Sequence, residues 1–369
     1  MRWSWRIGKV AGIDVYIHTT FLLLLAYVGF VWYQNTHRWI DALMAMGFII
    51  VVFFIIVLHE LGHALAARRY GIATRDITLL PIGGVARLER MPDDPKQELI
   101  VALAGPLVNV VIAAALFIGL NIAGELFSWD SLMNRTGGFL SKLMLLNIAL
   151  AVFNMIPAFP MDGGRVLRAL LAIRMDYVVA TNIAASIGQG LALAMGAAGL
   201  LIFSNPLMLF VALFVWVGAE NEANMVRMNA LLSGIPIQKV MLTQFKTLAP
   251  EDSLASVVEL ILNGFQQDFP VLDASGRLVG MVTRSDLLQT FARPRQATTV
   301  GEIMQTHFKT LDPHLMLDRM ADAFDHGDFQ ALPVVKNGQL VGMVTLDHLS
   351  EILSLRKAMR VRPEGQNVV

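Results

Sequence analysis

Over roughly its first 230 positions the chain is written as long apolar runs separated by short polar connections. The clearest run, Ala42–Leu58 (ALMAMGFIIVVFFIIVL), contains no charged residue. Others cover Ile17–Tyr33, Leu99–Leu120, Phe139–Phe153, Tyr177–Phe203 and Leu207–Met225. A bilayer core of roughly 30 Å takes about 20 apolar residues in a helix. The pattern therefore predicts about six transmembrane helices, of which Phe139–Phe153 is short and carries Lys142. The first run follows a basic lead, Arg2, Arg6 and Lys9, as a signal peptide would. No small-residue cleavage site follows its apolar core, so it reads as a retained anchor.

Beyond residue 230 the pattern changes and repeats. Val240-Met241 and Phe245-Lys246-Thr247-Leu248 recur sixty-three residues later as Ile303-Met304 and Phe308-Lys309-Thr310-Leu311. Phe269-Pro270-Val271 matches Leu332-Pro333-Val334, and Gly280-Met281-Val282-Thr283 matches Gly342-Met343-Val344-Thr345. Each unit predicts a helix (Leu254–Asn263; Leu315–Phe324), short apolar strands joined by a turn (Asp273–Arg277; Lys336–Gln339), and a further helix. The repeat resembles a tandem pair of CBS domains. The organisation is a membrane domain over 1–230 and a soluble pair over 231–352, with copies near 235–292 and 298–352. A loose polar tail over 353–369 completes it.

Composition agrees with this division. Of the 369 residues 55% are hydrophobic and 16% charged, against roughly 25% charged in ordinary soluble proteins. Mean hydropathy is +0.58. Lys+Arg and Asp+Glu are 29 each, which excludes the basic field a nucleic-acid binder needs. The absence of cysteine excludes disulfides, Cys-type zinc sites, iron–sulfur clusters and thiol nucleophiles. Within the membrane domain the cations gather in alternate connections. Arg2, Arg6, Lys9, Arg68, Arg69, Arg75, Arg87, Arg90, Lys96, Arg165, Arg168, Arg174 and Arg227 fall on one side, against Arg38, Arg135 and Lys142 on the other. The positive-inside rule then places both termini and the repeats in the cytosol.

The chemistry lies at the end of the second run, which continues as His59-Glu60-Leu61-Gly62-His63. Two histidines four apart face one side of a helix and can bind one metal, with Glu60 beside them to take a proton from water. Ionisable residues in a span are expensive and default to function. A tetrahedral zinc bound by two histidines needs a third protein ligand and a water. The other six histidines lie in loops, before the first span or in the repeats, so a carboxylate is expected. Asp162 supplies one, in Asn154-Met155-Ile156-Pro157-Ala158-Phe159-Pro160-Met161-Asp162-Gly163-Gly164-Arg165. Such a broken segment at membrane depth belongs where it lines a cavity or is buried in protein.

HELGH in the second span together with NMIPAFPMDGGR resembles the intramembrane zinc metalloproteases of the site-2 protease family. A branch of that family carries a C-terminal CBS pair. The resemblance implies a polytopic α-helical membrane protein with a soluble α/β CBS pair. It implies one zinc held by His59, His63 and Asp162, with Glu60 as general base. Asn154 stands at the family's asparagine, for substrate or the oxyanion. Gly105-Pro106-Leu107-Val108-Asn109 looks like its Gly-Pro-x-x-Asn element, with Asn109 reaching toward the site for substrate or the oxyanion, and Gly83-Gly84 like its glycine-pair loop, which pairs with extended substrate. The implied activity is cleavage of single-span membrane proteins within or near the membrane.

In the repeats, Gly280, Thr283 and Asp286 match the ribose-contacting element of CBS domains. The second copy has Gly342 and Thr345, with His348 in place of the aspartate. ATP or AMP at Thr283, Asp286 and Thr345 is the nucleotide reading, and a homodimerisation module is its alternative. For the whole chain the alternative is a CBS-regulated transporter or channel. That reading calls for ionisable residues spread along several spans, whereas here they converge on His59, Glu60, His63 and Asp162. A membrane di-iron oxidase would want more than the four histidines of the membrane part.

Overall fold

A computed structural model describes the chain except for residues 1–2, 82, 93, 124–137, 265, 292–297, 320–329 and 362–369. The chain forms two compact units, Met1–Met225 and Val226–Val369. The first opens with an antiparallel hairpin, β1 (Ser4–Val10) and β2 (Ile13–His18), followed by helices α1 (Thr19–Thr36) and α2 (Trp39–Arg69). Strands β3 (Thr74–Leu80) and β4 (Gly83–Leu88) come next, then α3 (Pro95–Ile122), α4 (Phe139–Asn154), α5 (Asp162–Ala172), α6 (Tyr177–Leu201) and α7 (Pro206–Leu232). Helices occupy all six predicted apolar runs. Among the described residues, α2, α3, α6 and α7 are long and apolar enough to cross a membrane, and α4 is a shorter apolar helix.

The four strands form one sheet in the order β1-β2-β3-β4. Its central pair, β2 and β3, is parallel, with Val15 opposite Ile77 and Ile17 opposite Leu79. This pairing joins segments separated by the whole of α1 and α2, so no local turn signal announces it. The sheet packs on the turn of α2 that carries the histidines: Ile13 and Ile77 bury against Ala64, and Val15 and Leu79 against Phe53 and Val57. The strand β4 forms one edge.

On α6 the buried positions Ala180, Ala184, Gly188, Ala192 and Gly196 recur every fourth residue. That spacing makes a smooth stripe on one helical face and lets backbones approach closely. It meets Ala212, Val215, Ala219 and Ala223 of α7. The connection between α4 and α5 is seated on the same pair. A Cβ on Gly188 would lie 3.1 Å from Ala158 Cα, and one on Gly218 would lie 2.6 Å from Pro160.

In the second unit the repeats appear as two hairpins. Strands β5 (Asp268–Leu272) and β6 (Leu278–Thr283) follow helix α8 (Leu254–Leu262), and α9 (Arg284–Phe291) follows them. Strands β7 (Ala331–Lys336) and β8 (Gln339–Thr345) lead into α10 (Leu346–Val361). Asn337 and Gly338, both at positive φ, make the two-residue turn of the second hairpin. The helix predicted at Leu315–Phe324 is represented by a 3₁₀ turn at Leu317–Arg319, preceded by the non-helical Leu315 and Met316, and its part beyond Arg319 falls outside the described residues. Where the sequence pattern predicts a loose tail, α10 instead continues through Val361. The segment Leu353–Val361 contains neither glycine nor proline, and Pro363 is the first residue to oppose the helix.

The copies interlock through side chains at equivalent places. Met304 packs on Gly280 and Met241 on Gly342, where a Cβ would lie 2.6 Å from either sulfur. Asp268 is buried and its Oδ2 accepts the backbone N–H groups of Gln330 (2.8 Å) and Ala331 (2.9 Å). Burial pushes the Asp268 carboxyl above the ordinary aspartate range, and these N–H donors pull the other way. Ionisation of Asp268 therefore works against folding. Its contribution is greatest below the usual aspartate value of about 3.9 and declines as pH rises through its own higher pKa. Asp268→Ala leaves two buried N–H groups without a partner. The expected result is a loss of ~1–3 kcal/mol, read as a lower calorimetric midpoint for the repeat unit at neutral pH, with an unchanged midpoint contradicting the bridge.

Candidate metal centre

The helix α2 runs unbroken through His59 and His63, which puts both rings on one face, with centroids 4.8 Å apart. Each ring is anchored on its far side by α3. His59 Nδ1 lies 2.9 Å from Asn109 Oδ1, and His63 Nδ1 lies 2.7 Å from the Val101 carbonyl oxygen. With an oxygen accepting from each Nδ1–H, both Nε2 lone pairs are left to face a common point. Asp162, the first residue of α5, brings its Oδ2 to that point, 3.2 Å from His59 Nε2 and 3.1 Å from His63 Nε2. The two Nε2 atoms are 3.2 Å apart. All three side chains are buried.

These distances test whether the group fits a metal. Zinc binds nitrogen and oxygen at about 2.0–2.1 Å, and the edge of such a tetrahedron is about 3.3 Å. The three donors form a nearly equilateral triangle with edges of 3.1–3.2 Å, one face of that tetrahedron with its fourth corner open. They are the one such group of potential metal donors among the described residues. The space beside them is kept by a glycine: a Cβ on Gly105 would lie 2.1 Å from His63 Nε2 and 2.7 Å from His59 Nε2.

The remaining sequence candidates lie on α2, β4, α3 and α4. Glu60 follows His59 on α2, and its Oε2 accepts the N–H of Ala86 on edge strand β4 at 3.3 Å. Gly84 makes this approach feasible, since a Cβ there would lie 2.9 Å from Glu60 Cγ and from Ile56. Gly83 starts the same strand at φ 141°, open to any neighbour. Asn154 ends α4 half-buried. The chain then folds back so closely that a Cβ on Gly163 would fall 2.2 Å from the Ile156 carbonyl oxygen. This fold-back delivers Asp162 to the histidines. Asn109 lies behind the His59 ring rather than on the open side of the donors. Val101 and Gly105 were not singled out by sequence reasoning as parts of the centre. Their signal is the spacing Glu98, Val101, Gly105, Asn109, a single buried stripe of α3 with polar residues at both ends.

In the second unit Asp286 closes a reciprocal cap at the start of α9. Its Oδ2 accepts from Thr283 N–H (2.8 Å) and Thr283 Oγ1 (2.7 Å), and Thr283 Oγ1 accepts from Asp286 N–H. Gln305 Nε2 also donates to it, at 2.9 Å. In the second copy Thr345 Oγ1 accepts from the His348 N–H at 3.2 Å.

Gly105→Ala drives a methyl group against the two Nε2 donors while leaving an α-helix former in a helix. The expected outcome is a folded chain whose zinc content, read by metal analysis, falls from one per chain to near zero. Full retention of zinc would contradict this geometry.

Comparison with known proteins finds two families in the chain. The model of Peptidase family M50 matches residues 47–136 and 129–197, and the CBS domain model matches 237–293 and 300–355. A zinc metalloprotease of Methanocaldococcus jannaschii is 38% identical over 360 residues, spanning 96% of this chain and 97% of that protein. The solved site-2 protease from the same organism is 40% identical and covers 60% of this chain and 95% of its own, with a TM-score of 0.44. The structure of CBSX2 in complex with AMP is 24% identical and covers 35% of this chain and 100% of its own, with a TM-score of 0.30. The chain thus belongs to peptidase family M50, the site-2 protease type of membrane zinc metalloendopeptidase, and carries a C-terminal CBS pair.

Proposed function

We propose that this chain cleaves peptide bonds within or beside the membrane-spanning segments of single-span proteins, under control of its CBS pair. The observation that supports this most is the donor triangle of His59, His63 and Asp162, whose two histidines lie on a helix apolar enough to cross a bilayer. His59 is the twenty-first residue of α2, about 30 Å along the helix from its start. That depth corresponds to the far border of the hydrocarbon core. The next residues, Arg68 and Arg69, belong to the cation-rich side, so water reaches the centre from the cytosol.

In this reading His59, His63 and Asp162 hold the zinc, and Asn109 and the Val101 carbonyl keep the rings in place. A zinc ion there supplies Lewis acidity, bringing water toward a pKa of about 7 and polarising the scissile carbonyl. Glu60 takes the water's proton and returns it to the leaving amine. Asn154 lies at the start of the segment that delivers Asp162, where it can hold the substrate backbone or the developing oxyanion. Strand β4, brought onto Glu60 by Gly84, offers its outer edge to a substrate unwound into extended form. Glu60→Gln is nearly isosteric and removes the base. It should bring cleavage of single-span reporter proteins to background while zinc stays at one per chain. Undiminished cleavage would falsify the role of Glu60.

The CBS pair is the regulatory element of this proposal, with ATP or AMP at Thr283 and Asp286 in the first copy and Thr345 in the second. The carboxylate of Asp286 already caps α9, so a ribose there shares it with Thr283 and Gln305. Dimerisation through the pair, with both termini cytosolic, completes the arrangement. Titrating the full chain with ATP and with AMP should raise its thermal midpoint and change its cleavage rate. The absence of any shift at millimolar nucleotide would leave dimerisation as the role of the pair.

A further inference from the structure

Six residues beyond Asp162, α5 carries Arg168, a fully buried guanidinium with no part in the donor triangle. Its Nε donates to Glu98 Oε1 on α3 at 2.8 Å, Nη2 donates to the same oxygen, and Nη1 donates to Glu222 Oε1 on α7. Tyr177, the first residue of α6, donates its hydroxyl to Glu98 Oε1 at 3.4 Å. The rings of Phe159 and Tyr177 both lie over the guanidinium, each centroid 5.0 Å from Cζ. One side chain therefore joins α3, α5, α6 and α7.

Stability alone gives little reason for this cluster. Replacing a buried ion group by apolar residues of similar volume is often neutral or favourable, because the desolvation cost offsets the attraction. Geometry gives a better one. Glu98 starts the α3 stripe that continues through Val101, Gly105 and Asn109. Those residues orient His63, leave room for the metal and orient His59. Asp162 comes from α5 by a separate route. The donor triangle therefore depends on how α3 and α5 are held against each other, and Arg168 to Glu98 is a direct polar tie between them.

We propose that Arg168 is a positioning residue for the metal centre: its bracket to Glu98 and Glu222 sets the placement of Asp162 against the histidine pair, and with it zinc affinity. This rests on the metal-centre reading above. It also requires arginine in particular, because a planar fork can serve two carboxylates on different helices, whereas a lysine ammonium is a single point.

The test is zinc affinity and the visible spectrum of the cobalt-substituted full chain in detergent, alongside the thermal midpoint of the metal-free chain. The triple variant Glu98→Gln/Arg168→Met/Glu222→Gln removes the charges together, so none is left buried and unpaired. Expected are zinc binding about tenfold weaker or more, the scale seen for groups supporting metal ligands, and an altered cobalt spectrum. Arg168→Lys should fall between the triple variant and the unsubstituted chain. A cluster that is merely structural would lower the metal-free midpoint and leave affinity and spectrum unchanged, which overturns the proposal. Should the triple variant not fold, Arg168→Lys decides alone: unchanged affinity and spectrum overturn the proposal. An unsubstituted chain that binds neither zinc nor cobalt overturns the metal-centre reading and this one with it.

Discussion

Everything at the site depends on α3 holding the two imidazoles from behind. A histidine on a helix turns about two side-chain torsions and carries two nitrogens, so spacing on α2 alone does not aim both Nε2 atoms at one point. The Val101 carbonyl and Asn109, eight residues apart on the same α3 stripe, take the Nδ1–H groups. Between them Gly105 lies against the donor atoms so tightly that no side chain fits. Glycine costs roughly 1 kcal/mol in a helix relative to alanine, a modest charge against the loss of the centre. Helix α3 is thus less a span that happens to be near the site than the template on which the site is assembled.

The third donor faces a harder problem. Asp162 lies about a hundred residues from the histidines, and a carboxylate in an apolar domain is unfavourable unless fully partnered. The segment before it is held by small residues on every side: Gly188 under Ala158, Gly218 under Pro160, and Gly163 against the Met155–Ile156 backbone. Close backbone packing of this kind is stiff, because no rotamer can relax it. Apolar packing thereby fixes the loop, while Asp162 finds its partners in the two imidazoles.

How much of this could be read from residues alone follows the range of the interactions. The histidine pair was legible because a spacing of four is a local property of a helix, and the apolar runs were legible because a bilayer imposes a length. The repeat showed itself by direct comparison of two stretches of one chain. Illegible were features that depend on two distant segments meeting. Strand β2 pairs in parallel with β3 across two intervening helices, and neither strand carries a long β pattern. Asn109 could be noticed as a polar residue in a span, yet its place behind His59 rather than toward substrate is a matter of helix rotation. Arg168 reads in sequence as one more cation on the positive side, and only packing shows it to be fully buried.

The second unit shows the same principle from the opposite direction, since it must join two copies of one repeat. Where a residue meets its own equivalent in the other copy, identical side chains would set acid against acid, so there the repeat has to break its symmetry. Asp268 of the first copy corresponds to Ala331 of the second, and the carboxylate of one accepts the backbone N–H of the other. Gln305, which donates to Asp286, corresponds to Leu242, and Asp286 itself corresponds to His348. The apolar contacts keep the symmetry, with Met304 on Gly280 and Met241 on Gly342, because dispersion has no sign. The polar contacts depart from it: the carboxylates of Asp268 and Asp286 accept from backbone N–H groups and an amide of the other copy, and neither has an acidic counterpart at the equivalent position. The two equivalent places are therefore chemically unlike. One joins the carboxylate of Asp286 in the first copy to the amide of Gln305 in the second, and the positions that correspond to them are His348 of the second copy and Leu242 of the first.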